Sequence, residues 1–241
     1  MPLPAPDLVL PAALIFDLDG TIVDTETVEY EAIRAVWAEH GVEYSATRYA
    51  EVVGTIVGAA WLDELEAAIG RAVDRAALRE AHRETHRRLT AALQPRDGII
   101  ALIEHAAAAN VPMAVASNAP RWWVDARVDA LGLGDSLPVL VTLDDSSAPK
   151  PDPAPFVEAC AALGVEPWRS IAFEDSSTGV RSALAAGLYT VACAGPLSLG
   201  HDLSEADLVI TSHIEVSLDE LGRAVLERPG PRGAGQIDPL R

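Results

Sequence analysis

Six short apolar runs punctuate the chain, at 12–16, 111–116, 138–142, 170–173, 189–192 and 208–210. None alternates apolar with polar residues, so each predicts a strand buried on both faces rather than one half in water. Between them, 98–109, 119–131, 153–163, 178–186 and 217–227 carry the three- and four-residue apolar spacing of helices. Buried strands alternating with helices predict an α/β fold built on a doubly wound parallel sheet.

From about residue 26 to 93 the rhythm breaks. Ala32, Ile33, Val36 and Trp37 follow helical spacing, as do Leu62, Leu65 and Ile69, and then Ala77, Leu78 and Ala81. No buried strand is predicted there. The expected organisation is a discontinuous α/β domain, 1–24 plus 94–228, with a helical domain inserted at 25–93. The junctions fall near 23–26 and 94–97. The tail 229–241 has three prolines, three glycines and little apolar content, and is expected to be disordered.

Composition narrows the function classes. The 241 residues are 49% hydrophobic and 22% charged, enough to build a core without disulfides. The net charge of −18 argues against nucleic-acid and anionic-membrane partners, because neutralising phosphates takes clustered Lys and Arg. Cys160 and Cys193 sit in apolar stretches and read as reduced, buried thiols. The first seven residues hold three prolines and no basic residue, unlike a signal or transit peptide. No uninterrupted apolar window is long enough to span a bilayer. These features predict a cytoplasmic location, and nothing in them calls for more than a monomer. Of 18 basic residues only Lys150 is lysine. In so arginine-biased a chain, a lone lysine marks a place where a compact point charge serves better than a planar fork.

In open α/β sheets ligands bind beyond the carboxyl ends of the strands. The residues just past each predicted strand are therefore informative. The first strand runs into Asp17 and Asp19, the second into Ser117 and Asn118. Lys150 lies in the loop after the third, and Glu174 and Asp175 come after the fourth. Clustered carboxylates raise one another's pKa unless a cation separates them. Hard carboxylate oxygens suit Mg²⁺, which is held by one or two carboxylates, waters and substrate phosphate. A strand-end Asp can attack phosphorus, and a second Asp two residues on can exchange protons with the leaving oxygen and with water.

Four segments, Asp17-Leu18-Asp19-Gly20-Thr21, Ser117, Lys150-Pro151-Asp152-Pro153 and Phe173-Glu174-Asp175-Ser176, resemble in order and strand context the motifs of the haloacid dehalogenase superfamily. The helical insert resembles the cap of the subfamily that holds β-phosphoglucomutase and many sugar-phosphate phosphatases. The resemblance covers about residues 12 to 222. It implies Asp17 as nucleophile and metal ligand, and Asp19 as general acid/base with its carbonyl on the metal. It implies Ser117 as a phosphoryl donor and Lys150 as the cation on phosphoryl group and nucleophile. Asp175 and Glu174 would complete a Mg²⁺ shell. The second Asp of the first motif argues against true dehalogenase chemistry. The implied reaction is Mg²⁺-dependent hydrolysis of a small phosphorylated metabolite, first of all a sugar phosphate, through an aspartyl-phosphate.

The chain departs from the mutase pattern in the cap. Glu29 stands where the mutase has a His and is expected to face the substrate. Val57, in Gly54-Thr55-Ile56-Val57, stands where the mutase has the Arg that grips a second phosphate. The loss of that Arg favours a phosphatase over a phosphomutase, unless Arg48, Arg121 or a more distant residue compensates for it. An idle binding protein on this fold would have lost a motif residue, and none is lost. Asn118 is expected beside the phosphoryl group as well as capping the helix after it. His82 and His86, four apart among arginines, are expected on an exposed polar face. Of Trp122 and Trp123, one is expected to pack and the other to border the substrate mouth. Asp144 and Asp145 read as loop acids.

Overall fold

The computed structural model describes residues 8–50, 60–197 and 202–228. The predicted tail, and the positions Gly54 and Val57, lie outside the described residues. Six strands form one sheet: β1 (Leu14–Phe16), β2 (Met113–Ala116), β3 (Val139–Val141), β4 (Ile171–Glu174), β5 (Tyr189–Cys193) and β6 (Leu208–Ile210). Their order is β3-β2-β1-β4-β5-β6, and every neighbouring pair is parallel. The sheet therefore changes winding direction beside β1, which opens a crevice at the carboxyl ends of β1 and β4.

The unbroken apolar runs have a simple cause: both faces of the sheet are covered. Leu14, Phe16, Met113, Val115, Ile171 and Phe173 join one core. Ile15, Ala114, Ala116 and Ala172 point the other way into a second, lined by smaller residues. Phe16 stacks on Phe173 across the β1–β4 pair, centroids 5.0 Å apart. Cys160 and Cys193 are free and buried, and burial pushes both thiols up to about 11.

Between β1 and β2 the insert contributes α1 (Thr25–Glu39), α2 (Ala46–Ala50), α3 (Ala60–Ile69) and α4 (Arg75–Thr90). The sheet is flanked by α5 (Ile99–Ala108), α6 (Arg121–Ala130), α7 (Ala154–Leu163), α8 (Ser177–Ala186) and α9 (Leu218–Glu227). The insert has a core of its own, with Ile33, Val36 and Trp37 of α1 against Tyr44, Tyr49, Trp61, Leu62 and Leu65. Asp24 and Asp74 cap α1 and α4 by accepting backbone N–H groups.

The two crossings between insert and sheet are tied to each other. Val23 bridges Pro95, and Arg96 N–H donates to Ile22 O at 2.8 Å. The Arg96 guanidinium donates to four carbonyls, those of Gly20, Cys193, Ala194 and Thr211. It thus joins the second crossing to the Asp17–Thr21 loop and to the ends of β5 and β6.

Candidate active site

Each strand of the sheet's centre ends in a side chain that cannot be apolar. Asp17 follows β1 directly, and its N–H donates to Phe173 O at 2.9 Å, which fixes the loop against β4. Lys150 comes from the loop after β3. Its side chain is 4% exposed, and its ammonium hydrogen-bonds Asp17 Oδ1 and Glu174 Oε1. Glu174 Oε2 in turn accepts from Asp175 N, Ser176 N and Ser176 Oγ. A Cβ on Gly179 would fall 1.9 Å from the Glu174 carboxyl, so glycine there leaves room for it. Gly20 has φ +83°, and a Cβ on it would lie 1.8 Å from Asp175 Oδ2. Glycine at that position lets Asp175 press against the Asp17–Thr21 loop.

The charges are far from balanced. Burial pulls Lys150 down, but Asp17 and Glu174 together hold it above its usual range. Burial raises Asp17 well above the usual carboxylate range, with Lys150 opposing and Glu174 and Asp19 adding to the rise. Asp175 is raised by burial and then by Glu174 and Asp17. Asp19 is raised by burial against the pull of a hydrogen bond from Trp123. Four carboxylates thus crowd around one ammonium, and a further cation would lower the energy of their charged forms.

Among the described residues, no three His, Cys, Asp or Glu side chains converge as a group able to hold a metal. These residues therefore form no all-protein cage of the zinc or calcium kind. The donor chemistry does fit Mg²⁺. Asp17 and Asp175 are desolvated carboxylates that repel each other, and Mg²⁺ takes one or two carboxylates and completes its shell with water and phosphate oxygens.

The sequence-named residues divide into two groups. Asp17, Lys150, Glu174 and Asp175 meet in one buried cluster, with Asp19 at its edge, and Ser117 is buried at the end of β2. Ser117 Oγ accepts Ala119 N–H at 3.0 Å, so its own hydroxyl proton stays available to a ligand oxygen. Asn118 serves differently from the expectation. Its Oδ1 accepts Lys150 N–H at 2.8 Å and its Nδ2 donates to Lys150 O at 3.2 Å, so its amide holds the lysine loop. Glu174 has one oxygen on Lys150 and the other on three donors, so it orients the lysine.

Glu29 is removed from the cluster. It lies between His82 and His86 of α4, 3.1 Å and 3.6 Å from their Nε2 atoms. The two histidines therefore do not form an exposed polar face: they are 15% and 26% exposed and turned toward α1. Arg48 pairs with Glu64, and Arg121 with Asp125 and Asp145, so neither is directed at the cluster. Asp144 and Asp145 fix the loop after β3 by accepting from Arg121 N and from Thr142.

Two site neighbours escaped the sequence reading. Trp123 Nε1 donates to both oxygens of Asp19, at 3.0 and 3.2 Å. Glu26 accepts Tyr49 Oη at 2.7 Å. Burial raises Glu26, against that bond, and the charge of Asp19 raises it further. The Trp122-Trp123 pair hinted at the first. No spacing linked Glu26 to Tyr49.

The model of the haloacid dehalogenase-like hydrolases matches residues 14–193, from the first residue of β1 to the last of β5. The chain belongs to this family. Within the family it is 33% identical to the validoxylamine A 7'-phosphate phosphatase of Streptomyces hygroscopicus subsp. limoneus, across 86% of this chain and 97% of that protein. Among solved structures it superposes on a mutant form of CbbY of Rhodobacter sphaeroides in complex with xylulose-(1,5)-bisphosphate. There the TM-score is 0.67 and the identity 26%, over 87% of this chain and all of the other. A Deinococcus radiodurans family hydrolase with bound phosphate and sodium shares the fold at TM-score 0.76 and 24% identity, covering 92% of this chain and all of its own.

Proposed function

We propose that this phosphoric monoester hydrolase is a Mg²⁺-dependent phosphatase of a small phosphorylated metabolite, a sugar phosphate or related polyol phosphate, working through an aspartyl-phosphate on Asp17. The observation that carries the reading is the buried Lys150 ammonium bonded to Asp17 at the end of β1, with Asp19 two residues further on. The family relatives that act on phosphorylated small molecules support it.

Asp17 attacks phosphorus, forming the P–O bond to its carboxylate while the ester P–O bond breaks. Asp19, whose proton affinity burial raises, gives a proton to the departing oxygen. It then takes a proton from the water that attacks the aspartyl-phosphate, which frees Asp17 and inorganic phosphate. Lys150 keeps Asp17 aimed and stabilises charge on the phosphoryl oxygens, and Ser117 donates to one of them. Asp17, Asp175 and the Asp19 carbonyl would hold Mg²⁺, which supplies positive charge for the transferring phosphoryl group. The helical insert acts as a cap that moves on the crossings at 23–26 and 94–97 to admit substrate and exclude bulk water.

The test is phosphate release from a panel of phosphorylated metabolites, with Mg²⁺ and with EDTA. Release concentrated in a few compounds and abolished by EDTA is the expected result. Release that survives EDTA would refute the metal requirement. A hexose 1-phosphate that is isomerised without losing phosphate would refute hydrolysis in favour of phosphoryl migration.

A further inference from the structure

The proposed reaction uses the Asp19 carboxyl twice, once toward the departing oxygen and once toward water. Both proton transfers need the group aimed, yet an aspartate side chain still turns about its single bonds. Helix α6 supplies a fixed partner. Trp123 Nε1–H lies astride the carboxylate, 3.0 Å from Oδ1 and 3.2 Å from Oδ2. A carboxylate accepts at about four lone-pair positions, and an N–H shared between both oxygens takes the inner ones. The indole thus leaves the outer positions for proton exchange. Its N–H is a donor only, so Trp123 holds the acid without competing for the proton.

The ring is itself held. It packs against the main core of the sheet domain. The Arg127 guanidinium lies 4.6 Å over its face and donates to Thr90 O at the end of α4. His86 and Trp122 border it, with centroids 6.1 Å and 5.7 Å away. A ring packed on these sides cannot follow a wandering carboxylate, so the carboxylate is fixed to the ring. The chain after β2 then supports the site at three points. Ser117 offers its hydroxyl, Asn118 holds the lysine loop, and Trp123 holds the acid.

Building on the phosphatase reading, we propose that Trp123 is a positioning residue, whose indole N–H fixes the Asp19 carboxyl in the orientation that both proton transfers need. It acts through Asp19 and needs no contact with the substrate.

The experiment compares phenyl phosphate with p-nitrophenyl phosphate at about pH 8 in the wild type, Trp123→Phe and Trp123→His, a pH at which the introduced imidazole is neutral. Both esters carry one ring, but only phenoxide needs a proton to leave readily. kcat/KM reports the steps up to that departure, whereas kcat includes hydrolysis of the aspartyl-phosphate. Trp123→Phe keeps a ring and removes the donor. Its kcat/KM should fall about tenfold for phenyl phosphate and stay within about twofold for p-nitrophenyl phosphate. Its kcat for p-nitrophenyl phosphate should still fall about tenfold, with KM falling in step, because the water step needs Asp19. Trp123→His returns an N–H at the ring position of the indole nitrogen and should recover most of the phenyl to p-nitrophenyl ratio. That ratio and KM do not depend on how much of a variant is folded, so a packing defect does not imitate the result. Equal losses on both esters in Trp123→Phe, an unchanged ratio, or no recovery in Trp123→His would overturn the assignment. A wild type that releases phosphate from neither ester would overturn the phosphatase reading and, with it, this inference.

Discussion

Lys150 carries the sharpest consequences at the scale of single residues. It neutralises Asp17 and Glu174 inside the protein, and both carboxylates lose their partner in Lys150→Ala. Breaking a buried pair by removing one member costs about 3–5 kcal/mol. Urea unfolding of Lys150→Ala should show a loss of that order, together with loss of turnover. Lys150→Arg should not rescue turnover, because the guanidinium fork is wider than the ammonium and the space is closed. Gly20→Ala should be as damaging to activity, since its Cβ and the Asp175 carboxylate would occupy the same place. The motif residues were legible because their types and their positions at strand ends carry the chemistry. The Trp123–Asp19 bond was not, because it joins positions 104 residues apart through the packing of α6. The same reason hid the second task of Glu174: sequence names a carboxylate, but the neighbours that take up its oxygens come from folding.

At the scale of elements, the strands were readable because each is buried on both faces, and their observed limits lie within a residue or two of the apolar runs. Helix α4 was harder. Its arginines and histidines mark a polar face, but which part of that face meets α1 depends on how α1 and α4 dock. Glu29 lies against His82 and His86 across that seam. The crossings expected at 23–26 and 94–97 rest on the change in pattern, whereas the anchoring of Arg96 leaves no such mark, since backbone carbonyls give no sequence signal. Arg96→Ala orphans four carbonyls at the ends of three separate segments. A charged hydrogen bond contributes about 1.5–3 kcal/mol. The variant should lose about 3 kcal/mol of stability by urea unfolding. Its kcat should fall as well, because the same guanidinium holds the Gly20 carbonyl beside Asp19.

For the whole molecule, acid stability separates fold from site. His213 is 2% exposed, and burial, with the nearby charge of Arg96, lowers its pKa to about 4. A histidine lowered from 6.5 binds its proton more readily unfolded than folded, so it contributes stability above pH 6.5 that is lost as pH falls toward 4. The buried acids Asp17, Asp19 and Asp175 are raised, so their contribution runs the other way and grows as pH falls. Comparing wild type with His213→Phe isolates the first effect. The wild type should lose about 2 kcal/mol more than the variant between pH 6.5 and 4.5. Among the described residues no helix is long and apolar enough to cross a membrane.

The proposed hydrolysis runs through a covalent phosphoryl intermediate on Asp17. p-Nitrophenyl phosphate has a leaving group that departs without an acid, so Asp19→Asn should form the aspartyl-phosphate at nearly the normal rate and hydrolyse it slowly. Quenching that variant during turnover with Mg²⁺, reducing the acyl phosphate with borohydride and mapping peptides by mass spectrometry should place homoserine at position 17. The Asp17→Asn control should give none. Homoserine at another carboxylate, or steady phosphate release from the wild type with no trapped adduct in Asp19→Asn, would contradict the assignment of Asp17 as the nucleophile.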